Sequence, residues 1–447
     1  MLSRHEPDAE VAWDETRSIT AAELCGHVEG IAELLPDAPA GAEILVICRD
    51  RYRFAVAMLA CWSRGYAVAL PPNPQLETIR SLRAGVETVI HDVDGVDKGI
   101  DVRDAQVVAA ARGKVGRVPF SVFPQLPAQQ RLATVYTSGS TGAHTACPKT
   151  AGQLLGEARA LVELFAIAPN TRVAPMVPPH HIYGLLFGVL MPLISGGSFF
   201  RRTPLHAGEV ARVLESGAGV LVSVPAHLRG LRVAEPGELP PIGRVFSSAA
   251  PLSTRVAQMV ESRFQWAVTE VLGSSETGGI AWRQSGGRGP WAALPGVEVS
   301  ADEEGLLRLH SPFLSPDEPR PYQGADRIEM LPDGRFLHRG RADGVLKIGG
   351  VRVSLAEVER RLTELPGVQD AAVLGKEVGG ARGYEVWAAV VAPERTVPEL
   401  KKDLRAWLGP MAIPRRLRNV ARLPRNEAGK LPRAALLALL EAPKDPA

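Results

Sequence analysis

Apolar positions in the first part of the chain come in two alternating textures. Short continuous runs, AEILVICRD (42–50), YAVALP (66–71) and VETVIHD (86–92), read as buried strands. Between them YRFAVAMLACWSRG (52–65) and PQLETIRSLRAG (74–85) carry helical spacing. Strand and helix in this alternation predict βαβ units and a parallel sheet. The alternation resumes after a loop expected at residues 137–149. Thr150 and Gln153 form a capping-box pattern, and Leu154, Leu155, Ala158, Leu161, Val162 and Phe165 then share one helical face. GVLVSVP, RVFSS and AVTEVL are further strand candidates, each closing on Pro, Ser or Gly where a site edge is expected.

After about residue 340 the texture changes. Ser354 and Glu357 form a second capping-box pattern before Leu355, Val358, Leu362 and Leu365. DAAVLG and YEVWAAVVAP read as strands, and Pro398 suits the first position of a helix carrying Leu400, Leu404, Trp407 and Leu408. The expected architecture is α/β: a large N-terminal domain with doubly wound sheets, residues 1–342, and a small mobile α+β domain, residues 343–447. The stretch DEPRPYQG marks a surface connection before that boundary.

Composition narrows the partners. The 447 residues carry 51 Lys+Arg against 49 Asp+Glu, so a net charge of +2 gives no electrostatic case for nucleic acid or a membrane surface. The N-terminus lacks the apolar core of a secretory signal, and the longest apolar run, Leu185 to Ser195, contains Pro192 and is too short to span a bilayer. Cys25, Cys48, Cys61 and Cys147 show no metal spacing and read as reduced thiols, so a cytoplasmic location is expected.

Candidate chemistry starts at Thr137-Ser138-Gly139-Ser140-Thr141-Gly142, which follows the strand LATVY. Hydroxyls and glycines at this density let a backbone wrap an anion with N–H and O–H donors. The spacing is not that of a Walker A loop. Lys149 follows, placed to return to the same phosphates. His180 and His181, in HHIYG, have no partner pattern that suggests a metal.

Together with four later segments, the hydroxyl-rich loop resembles the AMP-forming adenylating superfamily of acyl- and aryl-CoA synthetases, adenylation domains and luciferases. The four are Gly273-Ser274-Ser275-Glu276-Thr277, YQGAD ending at Asp326, GRADGVLK from Gly340 to Lys347, and PRNEAGKLPR from Pro424 to Arg433. They stand in family order across nearly the whole chain. The resemblance implies an ATP-dependent enzyme that converts a carboxylic acid into an acyl-adenylate and passes it to the thiol of coenzyme A or of a carrier protein's phosphopantetheine. It further implies that Thr141 and Glu276 help hold Mg²⁺, that Asp326 and Arg341 bind the nucleotide, and that Lys430 bridges the acid carboxylate and the α-phosphate. Ser248, Ala249, Ala250 and Pro251 match the segment beside adenine; His181, Gly184 and Ser247 match the acid pocket; Asp343 takes the place of the domain hinge.

Several positions depart from that pattern. Leu272 stands where many relatives carry an aromatic that stacks on adenine, so aliphatic contact replaces stacking. Asp326 lacks the usual threonine–glycine pair before it, and AHTACP lengthens the path to Lys149. These traits and the short N-terminal region look more like the compact ligases of aryl-polyene-type clusters. Two other functions fit the same family: amino-acid adenylation, and a non-catalytic acyl- or nucleotide-binding relative. Retention of Lys430, Glu276, Asp326 and Arg341 speaks against the second, and histidines rather than an aspartate at PPHHIYG speak against the first.

Overall fold

A computed structural model describes residues 4–442 except 75, 105–106, 108–124, 139–143, 236, 285–288, 342–343, 349–350, 379–383 and 428. The early βαβ alternation builds a six-stranded sheet in the order Ile100–Asp101, Thr88–His91, Glu43–Ile47, Ala67–Leu70, Arg131–Ser138, His144–Thr150. All neighbours are parallel except the last pair. That pair corrects the expected loop at 137–149. Thr137 lies on one strand opposite Thr145, and Lys149 lies on the other, opposite Ala133. HTACPKT escapes pattern reading because it is an edge strand, where Pro148 is tolerated without an N–H and Lys149 interrupts the apolar run.

A nine-stranded sheet is parallel through its middle, over Glu10–Trp13, Ser198–Phe200, Arg172–Pro175, Val220–Ser223, Arg244–Ser247 and Val268–Ser274. Gly278–Gln284 turns back antiparallel to the last of these. Helices cover the sheets because their apolar faces demand it. Helix Arg51–Ser63 is buried almost throughout, and helix Ala151–Leu164 buries the predicted face behind a complete Thr150–Gln153 capping box. One continuous core joins Ile44 and Val46 of the first sheet to Val173, Val222 and Phe246 of the second. The apolar run Leu185–Ser195 is wholly buried in it, and no helix among the described residues is long and apolar enough to cross a membrane.

A four-stranded antiparallel sheet, Glu298–Ala301 to Phe336–Arg341, leads into the C-terminal elements. There a hairpin, a three-stranded sheet and three helices close over their own core of Ile348, Val358, Leu362, Leu400 and Leu404. Two local readings need correction. Only half of the second capping box forms: Ser354 accepts from the Glu357 N–H, but the Glu357 carboxylate turns to Arg360 and Arg361, charge pairs that outcompete a neutral N–H. Helix Val397–Leu404 takes Pro398 at its second position, capped by a Thr396–Glu399 box, and ends before Trp407. Trp407 is exposed beneath the Arg361 guanidinium at 4.5 Å, not in the core.

Candidate active site

Four parallel neighbours of the large sheet end on one edge, and each ending carries an expected site segment. Strand Arg172–Pro175 leads into the His180–Gly184 turn, Val220–Ser223 into helix Pro225–Gly230, Arg244–Ser247 into Ser248–Pro251, and Val268–Ser274 into Glu276. A crevice at the carboxyl ends of parallel strands is where α/β proteins bind ligands. Ser223 pairs with Ser247, and Ser247 with Glu270, so these endings are in register.

The Glu276 turn is braced from behind. Ser274 and Thr277 exchange hydrogen bonds through both hydroxyls and both N–H groups involved, and the Ser315 N–H donates to the Glu276 carbonyl at 2.9 Å. Lys149 does not stand free in the phosphate loop. Its buried Nζ donates to the carbonyls of Glu276 (3.1 Å) and Phe313 (2.8 Å). Glu157, buried nearby, accepts from the Gly279 N–H at 2.6 Å. Burial pushes the Glu157 carboxyl up to about 7 against the pull of Lys149, and burial pulls Lys149 down. With its backbone fixed, the Glu276 carboxylate is left half-exposed, and no hydrogen bond or ion pair holds it among the described residues. It is a hard oxygen donor free to meet a cation. Among the described residues no group of three His, Cys, Asp or Glu side chains forms a protein-only metal cage.

Ser248 anchors the segment after strand Arg244–Ser247 by donating to the Val271 carbonyl at 2.8 Å. Ala249 beyond it sits at φ +70°, a left-handed conformation rare for a residue with a Cβ, and Ala250 and Pro251 are exposed beside it. After strand Arg172–Pro175, Gly184 makes the turn possible, since a Cβ there would lie 1.9 Å from the Pro178 carbonyl oxygen. Ser247 Oγ and His180 Nε2 are buried without partners among the described residues. Burial holds His180 down at about 4, and His227 likewise at about 4 despite the Met176 carbonyl. His181 is held well below its ordinary value by burial, then by His180 and by the charge of Lys430.

The segment that carries Lys430 is placed by its own contacts. Its turn is closed by bonds between Asn426 and both Lys430 and Gly429, and the Cβ position of Gly429 lies 3.0 Å from Val224 Cγ2. The C-terminal segment therefore rests on the start of helix Pro225–Gly230. Asp370 holds it there, taking Arg229 at 2.8 Å and Arg425 at 2.9 Å. Sequence reading named neither Asp370 nor Arg229.

Asp326 and Arg341 are register partners on adjacent strands of the four-stranded sheet. The His338 imidazole, also unnamed by sequence, reaches Asp326 Oδ1 at 2.9 Å. Gly139, Ser140, Thr141, Gly142 and Asp343 lie outside the described residues; of Ser138 and Arg341 only the backbone is described.

Parallel strands that end on one edge, with a C-terminal segment resting against helix Pro225–Gly230, are the arrangement on which the comparisons bear. The model of AMP-binding enzymes matches residues 3–303, and that of their C-terminal domain matches residues 357–430; the chain belongs to the AMP-binding enzyme family. It is 32% identical over 302 residues to a 4-coumarate–CoA ligase of Rhodobacter capsulatus, covering 67% of this chain and 74% of that protein. It is 28% identical to an L-proline–[L-prolyl-carrier protein] ligase of Pseudomonas fluorescens, over 72% and 71% of the two chains. The ATP-bound crystal structure of MatB from Rhodopseudomonas palustris shares the fold, with a TM-score of 0.81 over 96% and 95% of the chains at 21% identity. Accordingly, the enzyme activates a carboxylic acid with ATP and passes the acyl group to a thiol.

Proposed function

We propose that the substrate is an aromatic or other acyl acid with an uncharged tail. The carrying observation is that His180, His181 and His227, beyond the ends of two paired parallel strands, are kept neutral by burial, and the charge of Lys430 acts on His181. An α-ammonium group would need an anionic partner there, so amino-acid adenylation is disfavoured. His181, Gly184 and Ser247 would line the acid pocket.

In the first step a carboxylate oxygen attacks the α-phosphorus, forming the acyl-adenylate and expelling pyrophosphate. Thr137, Ser138, Gly139, Ser140, Thr141 and Gly142 cradle the departing phosphates in this reading. Ser248, Ala249, Ala250, Pro251 and Gly273 to Ser275 flank the adenine, while Asp326 and Arg341 hold the ribose side. Thr141 and the half-exposed Glu276 would hold Mg²⁺ together with the phosphates, a partial protein ligation that suits this cation. Bound there, the metal neutralises phosphate charge. Lys149 acts from behind, fixing the Glu276 turn. Lys430 supplies the positive charge between the two reacting anions.

In the second step a thiol sulfur attacks the acyl carbon and AMP leaves. Lys430 would obstruct that thiol, so residues 343–447 turn about Asp343 relative to residues 1–342 between the steps. Coenzyme A and a carrier-protein phosphopantetheine present the same thiol. A cytoplasmic setting agrees with four buried, unpaired cysteines.

A pyrophosphate-release screen over aromatic, fatty and amino acids, each with coenzyme A or a carrier protein, tests the proposal. Neutral aromatic or acyl acids should give pyrophosphate and AMP in equal amounts. Stoichiometric ADP, or activity confined to amino acids, would contradict it.

A further inference from the structure

One short stretch of chain grips the turn around Glu276 from behind. Lys149, in strand His144–Thr150, and Glu157, in the second turn of helix Ala151–Leu164, are 1% and 2% exposed. Lys149 holds the turn at the Glu276 carbonyl. Glu157 Oε1 holds it three residues on, accepting from the Gly279 N–H at 2.6 Å. Gln153, one helical turn before Glu157, donates to the Leu314 carbonyl, and Lys149 also takes the neighbouring Phe313 carbonyl. The approach is close. A Cβ at Gly278 would lie 2.6 Å from Glu157 Oε2, and one at Gly279 would lie 3.0 Å from Oε1. These two glycines, Gly278 with φ +68°, let the backbone lie directly against the carboxylate. Ser274 and Thr277 close the hairpin at its other end, and Gly279 pairs with Gly273 across it. A buried carboxylate is a costly acceptor for one N–H, and it holds that N–H more tightly than a neutral oxygen would.

We infer that Glu157 is a positioning residue for the metal-binding carboxylate: by anchoring the Gly279 N–H it completes, with Lys149, the fixed frame from which Glu276 meets Mg²⁺. The inference rests on the reading of Glu276 as a Mg²⁺ ligand. A ligand on a fixed backbone loses little freedom when a cation binds, whereas a hairpin held at one end only must be ordered first. A buried glutamate that served the core alone would act on stability, without regard to the cation.

The two roles separate when cation binding is read directly. Mn²⁺ is titrated into the full-length enzyme saturated with α,β-methylene-ATP, which cannot be cleaved to AMP, and free Mn²⁺ is followed by electron paramagnetic resonance. AMP binding without metal, measured by calorimetry, is the control. Glu157→Asp keeps the charge that acts on Lys149 but falls one methylene short of Gly279. Glu157→Gln keeps the reach and gives up the charge. Both leave a polar side chain of similar size in the core. Glu157→Asp should weaken Mn²⁺ binding about tenfold, the scale for losing a group that orients a metal ligand, with AMP binding unchanged. Glu157→Gln should lose much less. Unchanged Mn²⁺ affinity in Glu157→Asp, a parallel loss of AMP affinity, or a larger loss in Glu157→Gln than in Glu157→Asp would each overturn the positioning role. Glu276→Gln serves as the reference. If that variant loses Mn²⁺ and Glu157→Asp does not, only the role of Glu157 fails. If Glu276→Gln binds Mn²⁺ as the wild type does, the metal reading of Glu276 itself fails and the inference with it.

Discussion

His180 and His227 stand beyond the ends of two paired strands, with ring nitrogens, Nε2 and Nδ1, that find no partner among the described residues. Unfolded, each would titrate near 6.5; folded, burial holds each at about 4. Between those values the unfolded chain binds more protons, so their contribution is intact above about 6.5 and is lost as pH falls toward 4. The slope is at most about 1.4 kcal/mol per pH unit for each histidine. Urea titrations of the wild type from pH 7.5 to 4.5 should show that decline, and a His180→Phe, His227→Gln double variant should be markedly flatter. Parallel curves would mean that the histidines are not buried in their neutral form. At this scale legibility depended on contiguity. Glu276 and Lys430 sit inside unbroken motifs, so the sequence alone is enough to propose them. Lys149 was readable as a cation but not as a brace, because its carbonyl partners stand 127 and 164 residues away. The His338–Asp326 bond crosses two strands through a bulge that no period announces.

Among elements, the turn from strand Arg172–Pro175 into Ile182–Leu185 has the least room. The Pro178 carbonyl occupies the place of a side chain at Gly184. Gly184→Ala must move backbone against backbone, which should cost about 1–3 kcal/mol of stability. Because the same turn carries His180 and His181, KM for the acid should rise more than KM for ATP. Thermal unfolding and the two KM values check both parts; an unshifted melting temperature and an unchanged acid KM would contradict them. Helices with strong caps and whole apolar faces, such as Ala151–Leu164, were legible nearly to the residue because local and tertiary preferences agree there. The strand His144–Thr150 was not. An edge strand needs neither continuous apolarity nor every N–H, so its sequence reads as a loop. The Ser354–Glu357 box was half-read, since sequence shows that a carboxylate is present but not which neighbour it will choose.

Over the whole molecule, the decisive feature is where the C-terminal elements rest. Asp370 receives Arg229 from the large body and Arg425 from the segment that also carries Lys430. Arg255 adds a bond to the Val368 carbonyl at 3.2 Å. This arrangement lets the charge of Lys430 act on His181, and two domains could be read from sequence but not the face on which they meet. Contacts of this kind are long-range and polar, so neither hydrophobic period nor motif foretells them. The central claim is that Lys430, in this arrangement, drives formation of the acyl-adenylate and not the transfer that follows. The direct measurement is a pair of half-reaction assays on Lys430→Ala with one good acid: pyrophosphate release from ATP, and thioester formation from supplied acyl-adenylate. Adenylation should fall by about 10²–10³, the scale for losing one preorganised electrostatic group, while thioester formation stays near the wild-type rate. Equal loss in both assays, or unimpaired adenylation, would contradict the account.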